Sequence, residues 1–334
     1  MMTDLPADEP GAARHVSTGH LPSSTVVQAL LDEAHDRYAG EDSGTVADYI
    51  PVLAQTSPSL FGLCLVGVDG TVYSAGDAQQ HFTIQSMSKP FVFALVAQAL
   101  GHAAAREKLG VNSTGLGFNS VMAIELNEDR TANPMVNAGA IAAASLVPGE
   151  TADDKWNFIR AGLSRFAGRR LDLDHDAYTS EAATNRRNQG MAYLLAGYGR
   201  MYFDPLEATD VYTKQCSLSV TVTDLAVMSA TLADGGVNPV TRERVVDADV
   251  CTRVLAVLAT AGLYEHSGDW LYEVGLPAKS GVSGGILTVA PGKGGLATFS
   301  PPLDSAGNSV RGQRATKFLS NRLGLNLFAS LPEP

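Results

Sequence analysis

Apolar residues recur with helical period just past the N-terminal stretch, where Val27, Leu30, Leu31 and Ala34 share one face of a segment from about Val26 to Tyr38, behind a capping Ser24. From Ser59 to Gly76 the pattern shifts to that of a β-hairpin. Leu63-Cys64-Leu65-Val66 is apolar, Asp69-Gly70 is a turn dipeptide, and Val72-Tyr73 returns. Phe91 to Ala97 is apolar all round, which predicts a buried helix. Pro90 fits only a first helical turn and Gly101 suits the C-terminal end, so this helix is expected to start near Ser86. Helical segments follow at Met135–Leu146, Asp153–Ala167, Arg187–Leu195 and Thr223–Ala233, the last closed by Gly235-Gly236. Strand signals return at Ile286–Ala290 and Leu296–Phe299 around Pro291–Gly295, and a helix from about Ser309 to Leu323 closes the pattern.

Strands at both ends of a helical middle predict an α/β sandwich, an antiparallel sheet flanked by helices with an inserted helical subdomain. The sheet-containing part is expected at about 25–85 and 240–332, and the helical part at about 86–239. Residues 1–24, rich in Pro, Gly, Ala, Asp and Glu, read as a flexible tail without the apolar stretch of a signal peptide.

Composition narrows the function classes. The 334 residues carry 35 acidic and 24 basic side chains, a net charge of -11, which repels phosphate backbones and anionic lipid. Neither a nucleic-acid nor a membrane role is expected. Three widely spaced cysteines predict no disulfide framework, and with the tail they point to the cytoplasm. The seven histidines show no metal-ligand spacing. Gly115-Leu116-Gly117 opens no βαβ unit, so neither metal nor cofactor is expected.

Ser86-Met87-Ser88-Lys89 is an S-x-x-K at the start of the buried helix. Residues three apart share a helix face, so the Lys89 amine can reach the Ser86 hydroxyl. Serine needs a base to become a nucleophile, and burial lowers a lysine pKa toward that role. A plain capping serine beside a solvated lysine would give the same tetrapeptide, and chance supplies roughly one in a chain this long. The second element, Lys279-Ser280-Gly281, precedes the C-terminal strands and resembles the K-T-G of penicillin-binding proteins and β-lactamases. There the N–H after the glycine, here that of Val282, can join the Ser86 N–H as an oxyanion hole. The S-x-N that completes those families is missing from the helical part, which argues against a β-lactamase.

With this order of motifs the chain resembles the serine-dependent glutaminases, which share the β-lactamase-like fold. The resemblance covers roughly residues 25–330. It rests on Asp48–Pro51, Ile84–Lys89, Asn133–Ile141, Ser180-Glu181 with Arg187-Asn188, Tyr212 before Cys216-Ser217, Gly262–Tyr264, Gly275–Val282 and Ser300–Asp304. It implies cofactor-free hydrolysis of L-glutamine to glutamate and ammonia, with Ser86 acylated, Lys89 as base and Tyr264 moving protons in place of the S-x-N. Substrate contacts would fall on Ser86, Asn137, Glu181, Asn188, Tyr212, Tyr264 and the Val282 backbone, with Tyr49 also lining the site. Glu181 suits the α-ammonium, and Asn137, Asn188 and Tyr212 suit the α-carboxylate. A homodimer or homotetramer is implied. Two alternatives stay open: a hydrolase of another small amide or ester, and a catalytically silent small-ligand scaffold.

Overall fold

The computed structural model of the chain describes residues 19–48 and 50–330. Most of the tail expected at 1–24, and Tyr49, lie outside the described residues. The elements run α1 (Ser24–Tyr38), β1 (Gly62–Gly67), β2 (Val72–Gly76), β3 (Phe82–Thr83), α2 (Lys89–Leu100), α3 (His102–Leu109), α4 (Met122–Glu125), α5 (Asn137–Leu146), α6 (Ala152–Ala167) and β4 (Asp172–Leu173). They continue with α7 (His175–Ala182), α8 (Arg186–Gly197), α9 (Pro205–Cys216), β5 (Leu218–Val220), α10 (Val222–Ala233), α11 (Ala248–Ala261), α12 (Ser267–Glu273), β6 (Ala278–Ser280), β7 (Gly285–Ala290), β8 (Gly294–Phe299) and α13 (Val310–Arg322).

One antiparallel sheet has the order β2-β1-β8-β7-β6. The N-terminal hairpin therefore joins the C-terminal strands at its centre, with Leu65 opposite Leu296 and Gly62 opposite Phe299. Alternation along β1 sorts its side chains between two layers. Leu63 and Leu65 pack with Val27, Leu31, Phe318 and Leu319 of α1 and α13. Cys64 and Val66 pack into the larger core with Leu225 and Ala226 of α10. With both faces covered, β1 reads as a continuous apolar run rather than an alternating one. α10 approaches so closely that a Cβ on Gly295 would lie 2.3 Å from the Ala230 nitrogen.

Several boundaries differ from expectation. Ser23, not Ser24, holds the capping position of α1, without a side-chain hydrogen bond; the Ser24 hydroxyl accepts from the Tyr73 hydroxyl at 2.9 Å. α5 begins at Asn137 rather than Met135, because Asn133 Oδ1 takes the Met135 N–H at 3.0 Å and Val136 remains extended. Ser86 lies in a 3-10 turn, Gln85–Ser88, and α2 proper opens at Lys89. The expected start of α13 holds, with Ser309 accepting from the Gly312 N–H.

A second, three-stranded sheet, β3-β5-β4, was not expected. It pairs Phe82 with Val220 and Leu173 with Leu218. β3 thus runs straight into the Ser86 turn, and β5 follows directly from α9, which carries Tyr212 and Cys216. No described helix is long and apolar enough to cross a membrane.

Candidate active site

The turn that carries Ser86 is held from three sides. Ile84 N–H donates to Leu218 O at 2.9 Å, extending the small sheet by one rung. Gln85 then takes φ +49°, the left-handed region that side chains seldom adopt outside over-determined sites. Its amide donates to Thr83 Oγ1 and to Glu181 Oε2, each at 3.2 Å. Ser88 donates to Gln85 O at 2.8 Å and accepts from Gln215 Nε2 at 3.0 Å, so this second serine belongs to the framework. The glycines of the K-S-G-V-S-G-G stretch explain the third side. A Cβ on Gly285 would lie 2.3 Å from Met87 Cε, and one on Gly281 3.1 Å from it, so their absence lets the turn seat against β6 and β7.

The backbone N–H of Lys89 donates to Ser86 O, an i to i+3 bond. In such a turn the side chains three apart eclipse one another, which places Lys89 beside Ser86. Lys89 is 1% exposed, and its ammonium donates to Asn137 Oδ1 at 2.7 Å and Met135 O at 3.3 Å. Burial lowers its pKa to about 8, with the charges of Cys216 and Glu181 pulling it partly back up. Asn137 Oδ1 also accepts from the Tyr212 hydroxyl at 3.2 Å, and Asn137 Nδ2 donates to Asn188 Oδ1 at 3.0 Å. One amide thus links Lys89, Tyr212 and Asn188, and its two accepted bonds fix which end faces the lysine. Tyr212 is buried, which pushes its phenol well above the usual value.

Glu181, at the end of α7, is buried and its carboxyl is pushed up to about 7. Burial dominates; the Gln85 hydrogen bond and the charge of Lys89 act against it.

Tyr264 closes the opposite side. It lies in the 3-10 turn Tyr264–His266 with φ +57°, and its hydroxyl donates to Ser280 O at 3.4 Å. Its ring packs against Phe118 at 4.9 Å between centroids. The Lys279 ammonium lies 3.9 Å from the Tyr264 ring centre and donates to Ser280 O at 2.8 Å. Burial pushes the Tyr264 phenol up to about 12, against the pull of Ser86 and Ser280. Burial, reinforced by the charge of Lys89, drives Lys279 well below the usual lysine value.

Val282 follows β6 at the same edge. Gly281 N–H donates to Gly285 O and Gly284 N–H to Gly281 O, both at 2.9 Å. Among the described residues no carbonyl accepts from the Val282 N–H. Ala47, Ile50 and Leu53 pack with Val282 and Leu303 at this corner.

The sequence-predicted residues Ser86, Lys89, Asn137, Glu181, Asn188 and Tyr212 are joined by hydrogen bonds, Glu181 through Gln85, while Tyr264 reaches Ser280 and Val282 stands two residues beyond Ser280. Gln85 was missed as a site residue, although it stands inside the quoted Ile84–Lys89 stretch; nothing local marks it as the partner of Glu181. Lys279 was noted as a motif residue but not placed on Tyr264. A cavity of about 330 Å³ borders the site at Thr83 and Ser283. A larger one of about 920 Å³, lined in part by Arg106, Asn112, Asn133 and Arg200, contains none of the predicted residues. No group of three or more described His, Cys, Asp or Glu residues could hold a metal ion.

The geometry has close counterparts among known proteins. The Glutaminase family model matches residues 44–328. Glutaminase 2 of Yersinia pestis is 60% identical over 333 residues, covering 99% of this chain and 98% of the relative. Glutaminase of Colwellia psychrerythraea is 49% identical over 307 residues, covering 92% and 99%. A solved structure of the probable glutaminase ybaS superposes with TM-score 0.91 at 44% identity, covering 92% of this chain and all of that one. Mglu in its glutamate form superposes at 0.86 with 40% identity, over 91% of this chain and 70% of Mglu. The β-lactamase-like fold expected from the order of the motifs is the fold of these enzymes. The chain belongs to the glutaminase family, whose members hydrolyse L-glutamine to L-glutamate.

Proposed function

We propose that this glutaminase works through an acyl-enzyme on Ser86. The observation that carries the reading is the i to i+3 turn that joins Ser86 to the buried Lys89, with the buried Tyr264 near enough for Ser86 to pull its pKa down. A lysine with a pKa near 8 has a sizeable neutral fraction at cellular pH and can take the Ser86 proton. Ser86 Oγ then attacks the side-chain amide carbon of glutamine. The N–H groups of Ser86 and Val282 receive the negative charge that develops on the amide oxygen. The C–N bond breaks as the leaving nitrogen takes a proton from Lys89 or Tyr264, and ammonia departs. Water, deprotonated by the same groups, attacks the ester and releases glutamate.

Substrate selection follows from the surrounding charges. Glu181, ionised, pairs with the α-ammonium, and that cation in turn favours the ionised form of a carboxylate that burial disfavours. Asn137, Asn188 and Tyr212 offer neutral polar contacts to the α-carboxylate.

Replacement of Ser86 by Ala tests the reading. Ammonia release from glutamine is expected to fall at least about a thousandfold, with the folded state kept because the change removes a single hydroxyl and leaves the backbone bonds of the turn in place. Near-normal release would overturn it. Parallel assays on asparagine and a chromogenic β-lactam are expected to show little turnover.

We also propose a cytoplasmic homo-oligomer, dimer or tetramer, in which residues 25–85 and 240–332 form the sheet-containing part and 86–239 the helical part. Sedimentation equilibrium at assay concentration tests the assembly; a monomer would exclude it.

A further inference from the structure

The Ser300-Pro301-Pro302-Leu303-Asp304 stretch, together with the turn that follows it, takes no part in the chemistry described above, yet it packs directly on the oxyanion corner. Ser300 N–H donates to Gly284 O at 2.9 Å, tying the stretch to the loop that holds Val282. Gly284 has φ +101°, and a Cβ there would lie 2.4 Å from Ser300 O, so the two loops meet backbone to backbone. Leu303 packs in one cluster with Val282, Ile50 and Leu53, and exchanges both backbone hydrogen bonds with Thr45, at 3.0 and 2.9 Å.

The turn after Leu303 is organised by one carboxylate. Asp304 Oδ1 accepts from the N–H of Ala306 and of Asn308, both at 2.9 Å. Asp304 Oδ2 accepts from Gln313 Nε2 at 2.9 Å, anchoring the turn to α13. Its backbone closes the same turn, with Asp304 N–H donating to Asn308 O at 2.8 Å and Gly307 N–H to Asp304 O at 3.1 Å. Within this turn Gly307 takes φ +88°, and a Cβ on it would lie 3.7 Å from Val282 Cγ1. The turn built on Asp304 is therefore a wall against the side chain of Val282, the residue assigned above as an oxyanion donor.

We propose that Asp304 is a positioning residue for acyl transfer, acting through the 304–308 turn to hold the Val282 N–H where charge develops on the substrate oxygen. It touches neither glutamine nor Ser86. A displaced oxyanion donor costs rate in the transition state while leaving ground-state binding in place. The inference rests on the oxyanion reading of Val282.

The test compares Asp304→Ala, Asp304→Asn and Gly307→Ala with the unmodified enzyme and with Ser86→Ala, in kcat and KM for glutamine and in the affinity for L-glutamate measured by calorimetry. Asp304→Ala is expected to lower kcat about 10- to 100-fold, with KM and glutamate affinity within about twofold. Asp304→Asn is expected to recover most of kcat. Its amide oxygen still accepts from Ala306 and Asn308, and its NH2 can donate to Gln313 Oε1, which lacks a partner. Gly307→Ala, strained at positive φ beside Val282, is expected to lower kcat without touching Asp304, which keeps the test open should Asp304→Ala fail to fold. Unchanged kcat in Asp304→Ala and Gly307→Ala, with Ser86→Ala inactive, overturns this inference alone. So does a parallel loss of glutamate affinity and kcat that Asn does not rescue, since that is a collapsed site. An active Ser86→Ala removes the acyl-enzyme reading and the inference with it.

Discussion

Lys89 Nζ and Asn137 Oδ1 stand 2.7 Å apart across 48 residues of sequence, both buried. The partner is a neutral amide, so it satisfies the lysine without the charge that would hold its proton. Burial then sets the lysine pKa at about 8. Asn137→Asp tests this balance. A carboxylate at that distance is expected to raise the lysine pKa by more than one unit. The neutral base then appears only at higher pH. The rising limb of kcat against pH should move up by more than one unit, and kcat at pH 7.5 should fall at least about tenfold. An unmoved limb would show that Lys89 is not the titrating base.

Glu181 gives the opposite dependence. Its carboxyl, pushed up to about 7 by burial, is increasingly protonated below that pH in the free enzyme. The protonated form cannot pair with an ammonium, so KM for glutamine should rise as pH falls through 7, approaching tenfold per unit. Glu181→Gln should have a high KM with no such limb. Stability should respond as well. A folded-state pKa above the unfolded value gives stability that is full below about 4.5 and lost as pH rises through 7. Glu181→Gln removes that loss, so thermal melts should show its advantage over the parent at pH 8 exceed its advantage at pH 5.

The legible part of the molecule was its local part. Periodicity located α1 and α13 because each buries one stripe, and the Asp69-Gly70 turn located the first hairpin because only a few residues accept its geometry. Site residues were legible where a motif keeps them adjacent, as in Ser86 with Lys89 and Lys279 with Val282. What stayed hidden is what folding brings together. Gln85 meets Glu181 across 96 residues, and β1 pairs with β8 from the other end of the chain. The small β3-β5-β4 sheet was invisible because its strands are two or three residues long, too short for alternation to register. The α5 start was misplaced because Asn133 captures the Met135 N–H, a side-chain competition that apolar periodicity does not record.

The Tyr264 hydroxyl donates to Ser280 O, while its ring is held by Phe118 and Lys279. Tyr264→Phe keeps the ring contacts and removes only the hydroxyl. The melting temperature should therefore stay close to the parent, while kcat falls about a hundredfold, the usual contribution of a positioned proton donor or acceptor. A variant with parental kcat would assign all proton traffic to Lys89.

The contact between α10 and β8 supports a stability prediction that separates two uses of glycine on one hairpin. At Gly295 an added Cβ would lie 2.3 Å from the Ala230 nitrogen, 2.4 Å from Ala226 O and 2.5 Å from Ser229 Cβ. Two of those three atoms are helix backbone, which cannot rotate away, so the helix must lift from the sheet that backs the site. At Gly292, in the turn before β8, φ is +73° but nothing lies within 4 Å of an added Cβ. Gly292→Ala is expected to cost only the left-handed strain, about 1 kcal/mol. Gly295→Ala is expected to cost at least the ~1–3 kcal/mol of overpacking, because the loosened layer also carries Leu225 and Ala226 of the core. Gly292→Asn should recover part of its smaller loss, since asparagine tolerates that conformation. Equilibrium unfolding in guanidinium of the three variants measures the difference, and equal losses at 292 and 295 would mean that α10 does not lie against β8 as closely as these distances require.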